Sequence, residues 1–107
     1  MKMYTNSEQT AKLIELGFDK PNGNYRYWRG NELVININYT IGELIEMLPN
    51  VVESEDSEYA TLQMYFDLFN WIIEYPGVEK IEYATSAIEL IDALYDMLIR
   101  LKKEGVI

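Results

Sequence analysis

Apolar side chains recur at helical intervals near the start of the chain and predict a short amphipathic helix there. Thr5, Asn6 and Ser7 precede this segment, and each can cap a helix. We expect the helix to end at Gly17, with the glycine in the left-handed conformation and Phe18 folded back over the last turn. The apolar positions of this helix are Ala11, Leu13, Ile14, Leu16 and Phe18.

A second apolar stripe lies near the end of the chain and predicts a longer helix. Ser86 and Glu89 have the spacing of a capping box, so we expect the helix to begin beside them. Lys102 and Lys103 complement the negative end of the helix dipole. The stripe consists of Ile88, Ile91, Leu94, Tyr95, Leu98 and Leu101.

Alternating aromatic and β-branched residues after the first helix predict a β-hairpin. Gly30-Asn31 suits a two-residue turn, which places Arg29 opposite Glu32. In this register the face expected to point toward the core carries Trp28, Leu33, Ile35 and Ile37, and the opposite face carries Tyr25, Tyr27, Val34 and Asn36.

The middle of the chain predicts a two-turn helix followed by a loop. Thr40 and Glu43 form a capping box, Tyr39 and Leu44 are spaced as a hydrophobic staple, and Pro49 ends the helix. Residues 50 to 60 then lose all periodicity and gather acidic side chains, so we interpret them as a solvated loop.

Residues 61 to 75 fit two periodicities. Aromatic and β-branched enrichment, with turns at Asp67 to Asn70 and at Pro76-Gly77, favours strands, and we predict a three-stranded meander that continues to residue 85. A helix would align Leu62, Tyr65, Phe66, Phe69, Ile72 and Ile73, whereas two strands would align Leu62, Met64 and Phe66 with Trp71, Ile73 and Tyr75.

These elements predict one α+β domain that spans residues 1 to 107. Its order is a short helix, a β-hairpin, a short helix, a three-stranded antiparallel meander and a long C-terminal helix packed on the sheet. An apolar fraction of 49% in 107 residues is enough for one core of ordinary size.

Composition excludes most catalytic and metal-binding classes. The chain has no Cys and no His, so disulfides, thiolate nucleophiles and the usual zinc and proton-transfer sites are absent, and we expect neither a metal nor a cofactor. With no secretory signal and no long apolar run, we expect a soluble, cytoplasmic protein that does not bind a membrane.

The distribution of charge along the chain favours some classes of binding partner over others. The net charge is −9, and the stretch from Gly30 to Glu79 contains ten acidic residues and no Lys or Arg. Because phosphate backbones and anionic lipids bind to Lys and Arg, this distribution opposes direct nucleic-acid or membrane binding. A protein partner with a basic surface is favoured instead.

The segments SEQTAKLIELGF, YTIGELIEMLP and AIELIDALYDMLIRLKKEGVI occur in this order along the chain. In these segments the chain resembles small uncharacterised proteins encoded by prophages and mobile elements of gut Bacteroidetes. The resemblance covers about half of the sequence and rests on packing and capping residues. It implies strands before the final helix and carries no assigned activity.

Three polar or aromatic groupings are candidate sites. The acidic cluster Glu53, Glu55, Asp56 and Glu58 has the ligand type of a calcium site but not the loop spacing, which favours a solvated loop. The carboxylates of Glu89, Asp92 and Asp96 line one helix face, where a solvent-exposed role is favoured over acid–base chemistry. Tyr25, Arg26, Tyr27, Trp28 and Arg29 have the composition of a base-stacking surface, although cross-strand packing is favoured.

The last helix also carries Leu90, Met97 and Ile99 outside its main stripe. An apolar arc of this width indicates either self-association or deeper burial within the chain, and the pattern alone does not separate these alternatives. The candidate interaction surface therefore comprises Leu90, Met97, Ile99, Tyr25 and Tyr27.

The sequence favours a non-enzymatic protein-interaction module of phage or mobile-element origin. Its expected partners are an unidentified, basic protein and a second copy of the chain. The alternative is an acidic DNA mimic, in which carboxylates from residues 43 to 74 imitate phosphates and occupy a nucleic-acid-binding groove. An enzyme built on carboxylates and tyrosines alone is the least favoured hypothesis.

Overall fold

A computed structural model of the chain describes residues 1–21, 25–36, 38–54, 58–78 and 80–107, with the backbone alone for residues 25–27 and 34–36. The described residues form three helices and seven strands. The helices are α1 (Ser7–Glu15), α2 (Ile41–Met47) and α3 (Leu90–Lys103), and the strands are β1 (Tyr25–Arg29), β2 (Glu32–Asn36), β3 (Val51–Glu53), β4 (Tyr59–Thr61), β5 (Gln63–Asp67), β6 (Asn70–Pro76) and β7 (Ile81–Ala87).

The predicted α+β class and the meander are confirmed. Strands β5, β6 and β7 form an antiparallel sheet in that order, and α3 lies on it. Asp67 pairs with Asn70 across the first turn, so the helical alternative for residues 61 to 75 is wrong. A register shift at Tyr75/Pro76 marks the second turn, where the proline cannot donate a ladder hydrogen bond.

The hairpin of β1 and β2 has the predicted register, with Arg29 opposite Glu32. The expectation that its Trp28 face points to the core is wrong at the described positions, because Trp28 is 70% exposed and Leu33 is also exposed. The side chains of Ile35 and Ile37 on this face, and of Tyr25 and Tyr27 on the other, lie outside the described residues. Alternation correctly grouped the side chains by face, but it does not reveal which face finds a packing partner.

The predicted solvated loop at residues 50 to 60 is wrong for most of its length. Val51 to Glu53 pair with Tyr59 to Thr61 as a second hairpin, and Val52 and Ala60 are buried at its centre. A hydrogen bond of 2.7 Å from the Ser54 amide to the Glu58 carbonyl extends the pairing. In each strand the three residues are exposed, buried and exposed in turn. Three residues are too few for this alternation to be recognised in the sequence.

Helices α1 and α2 begin at predicted capping residues, and α1 ends at the predicted glycine. Asn6 caps α1 and forms a reciprocal capping box with Gln9, which selects one of the three candidate caps. Gly17 has a φ of 96°, and the Phe18 amide donates to the Leu13 carbonyl over 3.1 Å. These are the features of a glycine-terminated helix end. The predicted capping box of Thr40 and Glu43 at the start of α2 is also confirmed.

The predicted capping box of α3 is wrong. Ser86 belongs to β7, Ile88 is exposed, and α3 starts at Leu90. Glu89 is the cap residue but makes no capping bond with its side chain. Its carboxylate instead accepts a hydrogen bond of 2.8 Å from the backbone amide of Lys2, which is 87 residues away in sequence. The Glu89 carboxylate, which the capping-box pattern assigned to the start of α3, is therefore used by the N-terminal segment.

One face of α3 forms the centre of the core. Its buried residues pack against β6, β7 and α2, and Thr85 of β7 donates a hydrogen bond of 2.9 Å to the Ala93 carbonyl. Tyr75 is fully buried and donates to the Pro49 carbonyl over 2.7 Å, and burial raises its pKa to about 12. The core consists of Leu13, Tyr39, Leu44, Leu48, Val52, Ala60, Ile73, Tyr75, Leu90, Ile91, Ala93, Leu94, Met97, Leu98 and Leu101.

The molecule is elongated, with extents of 58 × 33 × 18 Å and a radius of gyration of 15.5 Å. A compact chain of this length would have a radius of gyration of about 13 Å. The core lies around α3, and the end of the β5–β6 hairpin lies outside it, as the exposure of its side chains shows.

Met97→Ala should destabilise the protein by about 2–5 kcal/mol, because the Met97 side chain is fully buried and its loss leaves a cavity. Ile88→Ala is the matched control, since Ile88 is exposed and its truncation should change stability by less than about 0.5 kcal/mol. Urea unfolding of both variants measures the difference. Equal stability of the two variants would contradict the burial of Met97.

Candidate interaction surface

Of the residues that the sequence assigned to an interaction surface, the three on α3 do not form an exposed apolar surface. Leu90 and Met97 are buried in the core, and Ile99 is half-buried beside it. The apolar width of α3 therefore corresponds to deeper burial within the chain, one of the two alternatives. The side chains of Tyr25 and Tyr27 lie outside the described residues.

A different apolar surface is exposed at the turn between β5 and β6. This turn, here called the hairpin tip, consists of Leu68 and Phe69, which are 80% and 78% exposed. Asp67 and Asn70 pair directly behind it, so the tip is a two-residue turn at the end of a regular ladder. Two large apolar side chains thus project from a turn in which polar residues and glycine are usual.

The backbone at the tip is in an unfavourable conformation for its residue. Leu68 has a φ of 53°, the left-handed region that glycine and asparagine adopt at little cost. In that region the Cβ of a residue such as leucine approaches the following carbonyl oxygen. The turn therefore carries a leucine against its backbone preference, and burial offers no compensation because the side chain is exposed.

The apolar surface continues from the tip along β5. Phe66 is 55% exposed and contacts Trp71 with a ring-centroid distance of 5.4 Å and a tilt of 60°. Met64 is also exposed. It lies on the same face as Phe66, because the two residues are two positions apart on the strand and pair with Ile73 and Trp71. Helix α3 covers this face at Ile73, but the apolar side chains of the edge strand lie beyond its cover.

The opposite face of the hairpin is polar. Tyr65 and Glu74 lie on this face, and Glu74 is buried. Partial burial and the negative charge of Glu74 raise the pKa of Tyr65 above its ordinary value. The hairpin is therefore apolar toward the α3 side and carries a tyrosine and a buried carboxylate on the other.

A shallow cavity of about 240 Å³ lies beside α2 and contains three acidic side chains in its lining. Tyr39 donates its hydroxyl to the Asp19 carbonyl at the cavity wall, and burial, with the charges of Glu43 and Asp19, raises the Tyr39 pKa. Glu43 accepts the Thr40 amide in the helix cap. The cavity is lined by Asp19, Lys20, Tyr39, Glu43, Glu46 and Met47.

Two of the three carboxylates predicted to line α3, those of Glu89 and Asp92, hold the N-terminal segment in place. Lys2 forms a salt bridge of 2.8 Å with Asp92, and Gln9 donates to the same oxygen over 2.8 Å. Burial raises the pKa of Asp92, but the hydrogen bonds from Lys2 and Gln9 and the Lys2 charge outweigh it and hold the pKa below its usual value. Burial and the neighbouring Asp92 raise the pKa of Asp96.

The acidic cluster between β3 and β4 is only partly described. Glu53 and Glu58 are exposed, whereas Glu55 and Asp56 lie outside the described residues. Across the part of the chain that the structure covers, no three acidic side chains are grouped so that they could hold a metal ion.

Neither a protein-family model, nor a curated protein sequence, nor a solved structure matches the chain. None of the helices in the described ranges is both long enough and apolar enough to cross a bilayer.

The sequence correctly predicted a turn at the tip but indicated no function for it. The signal was the pair Leu68-Phe69 between Asp67 and Asn70, since the outer residues favour a turn and the inner ones do not. The hydrophobic pattern could not show that the tip is exposed, because Phe66 and Trp71 beside it fit a core strand equally well.

Leu68→Gly should stabilise the protein by roughly 0.5–1 kcal/mol, because the relief of left-handed strain exceeds the entropy that glycine gains in the unfolded chain. Leu68→Ala is the control, since alanine keeps the strain and should give no such gain. Thermal and urea unfolding of the two variants measure the difference. A lower stability for Leu68→Gly than for Leu68→Ala would contradict the strain.

Asp92→Asn should lower stability at pH 7 by about 0.5–1 kcal/mol, a range reduced for solvent screening because the ion pair is partly exposed. The depressed pKa of Asp92 means that its contribution is present above the unfolded pKa near 3.8 and is lost as the pH falls through the folded pKa. The stabilities of Asp92→Asn and the wild type should therefore become equal at acidic pH.

Asp96→Asn is the matched control for Asp92→Asn and should act in the opposite direction. Because the Asp96 pKa is raised, its ionised form is disfavoured in the folded state, and removing the charge should slightly stabilise the protein at pH 7. This gain should vanish as the pH falls below the unfolded pKa. Urea unfolding between pH 3 and pH 7 tests both variants, and effects of the same sign at pH 7 would contradict the assignment.

Proposed function

We propose that the chain is a small protein-interaction module that binds a protein partner through the hairpin tip. The proposal rests on the conformation of Leu68, whose backbone has a positive φ and whose side chain is exposed. A leucine in this position has a cost in the free chain and no contact to offset it. A partner that buries the side chain would provide that contact.

The chemistry around the tip favours a partner with an apolar pocket and a basic rim. Asp67 directly precedes the tip, and the sequence from Gly30 to Glu79 contains no cation. Such a field attracts Lys and Arg and repels phosphate, so a basic protein surface fits better than nucleic acid or an anionic membrane. Leu68 and Phe69 would supply the buried anchor of the contact.

The proposed role does not involve enzymatic turnover. The sequence supplies neither His nor Cys, and the α3 carboxylates Glu89 and Asp92 already bond to the N-terminal segment. The resemblance to prophage and mobile-element proteins supports a role in the bacterial cytoplasm, where a small binding protein would act on a host or phage component.

Replacing the tip with serine, as Leu68→Ser and Phe69→Ser together, should abolish capture of the partner from a lysate of the native cells. Burial of two large apolar side chains contributes about 1.5–3 kcal/mol each, so affinity should fall on the order of 100-fold or more. Val78→Ser is the matched control, because Val78 is 72% exposed and lies beyond the opposite end of β6. Quantitative mass spectrometry of the captured proteins is the measurement.

Capture that survives the tip substitution would contradict this proposal. The DNA-mimic alternative predicts that outcome, with loss of capture in Glu43→Gln/Glu46→Gln instead. We favour the tip because two acids of the 43 to 74 segment have other roles: Glu74 is buried, and Glu43 bonds to the Thr40 amide. A mimic needs its carboxylates free and in rows.

A further inference from the structure

Helix α3 leaves part of its own sheet face uncovered. It packs on β7 and β6, whereas the contacts of β5 are mainly with β6. On the face that α3 covers, Met64 and Phe66 of β5 remain 39% and 55% exposed. Trp71 of β6 pairs with Phe66 on this face and is half-buried. These three side chains, here called the β5 strip, form an apolar surface that continues into the hairpin tip.

The β5 strip has the width of one helix. Neighbouring strands lie about 4.8 Å apart, so β5 lies roughly 7–10 Å from the line along which α3 covers β6 and β7. The axes of packed helices lie about 8–10 Å apart. A second helix over β5 would therefore contact α3 and complete a helical layer on the three-stranded sheet.

The length of the strip corresponds to two or three helical turns. A strand extends about 13 Å from Met64 to Leu68, which equals the rise of roughly nine helical residues. Leu62 closes the other end, since it is half-buried against the core and its amide bonds to the Asn50 carbonyl over 2.9 Å. An occupant of the strip therefore extends toward the tip, where Leu68 and Phe69 enlarge the apolar surface.

The charges that border the strip are acidic. Asp67 is exposed between the strip and the tip. Helix α3 begins at the tip end of the sheet, because Ala87 shortly before it pairs with Trp71. Lys2 lies at this end, but its charge is paired with Asp92. The cations of α3 itself are in its last turn, at the far end of the sheet. An occupant with cationic side chains is therefore complementary to this border.

We propose that the partner element bound by this surface is a basic amphipathic helix that lies along β5 beside α3. Its apolar face covers Met64 and Phe66, its end contacts the tip, and its cationic flank faces Asp67. An amphipathic helix binds through apolar residues at every third and fourth position, which suits a strip two or three turns long. This inference rests on the proposed function, because it names the kind of element that the partner presents to the tip.

Tryptophan fluorescence tests where the helix binds, because the chain has two tryptophans and only Trp71 belongs to the strip. In Trp28→Phe, Trp71 is the sole reporter. The probe is a synthetic peptide of about 18 residues with leucine on one helical face and lysine on the other. The peptide should shift the Trp71 emission to shorter wavelength, since it excludes water from the ring. Trp71→Phe keeps only Trp28 on the β1–β2 hairpin, and this matched control should show no shift.

Met64→Ser/Phe66→Ser in the Trp28→Phe background tests the apolar contact. The loss of two partly exposed side chains should weaken binding of the leucine–lysine peptide roughly 10-fold or more. Val78→Ser/Ile81→Ser is the matched control and should bind the peptide as before, because both residues are exposed at the opposite end of the sheet. Urea unfolding of both variants verifies that each is folded before the affinities are compared.

Two altered peptides test the chemistry of the helix while the strip stays unchanged. A peptide of the same composition with its leucines on all sides keeps the charge but lacks the apolar face. A leucine–glutamate peptide keeps the apolar face but reverses the charge. Each should bind roughly 10-fold more weakly, or less tightly still. Binding of the original peptide should also weaken as salt is added, because salt screens the attraction.

Equal affinity for the leucine–lysine peptide and its rearranged form would overturn the inference, and so would an emission shift at Trp28 as large as the shift at Trp71. Failure of the proposed function gives a different result. If capture of the native partner is lost in the tip substitution but kept at full affinity in Met64→Ser/Phe66→Ser, the tip binds the partner and the helix along β5 is excluded. Capture that survives the tip substitution contradicts the proposed function itself.

Discussion

The burial of the apolar face of α3 is the interaction on which the rest of the structure depends. Seven of its residues are buried, and they contact the sheet on one side and α2 on another. The N-terminal segment is fixed to the same helix through Lys2, which bonds to Glu89 and Asp92. The buried residues of the other helices and strands join the same core around α3.

Helix α3 covers the inner strands of a three-stranded sheet more fully than the outer one, and this accounts for the exposed surface. Ile73 on β6 is fully buried under α3, while Met64, its neighbour on β5, is exposed on the same face. A chain of this size has too few elements to cover both the face and the edge of β5. The uncovered strand and its tip are therefore a consequence of where the helix lies.

Local rules predicted the elements well where the determining groups were close in sequence. Gly17 and the Thr40 capping box fixed helix ends, and the turn at Asp67 fixed the meander. Rules that required a distant partner failed. Glu89 bonds to Lys2 rather than capping α3, and the Trp28 face looks apolar enough for a core but packs against none at its described positions. For the candidate site, the sequence predicted an acidic interaction module but chose α3, because burial depends on which surfaces the fold brings together.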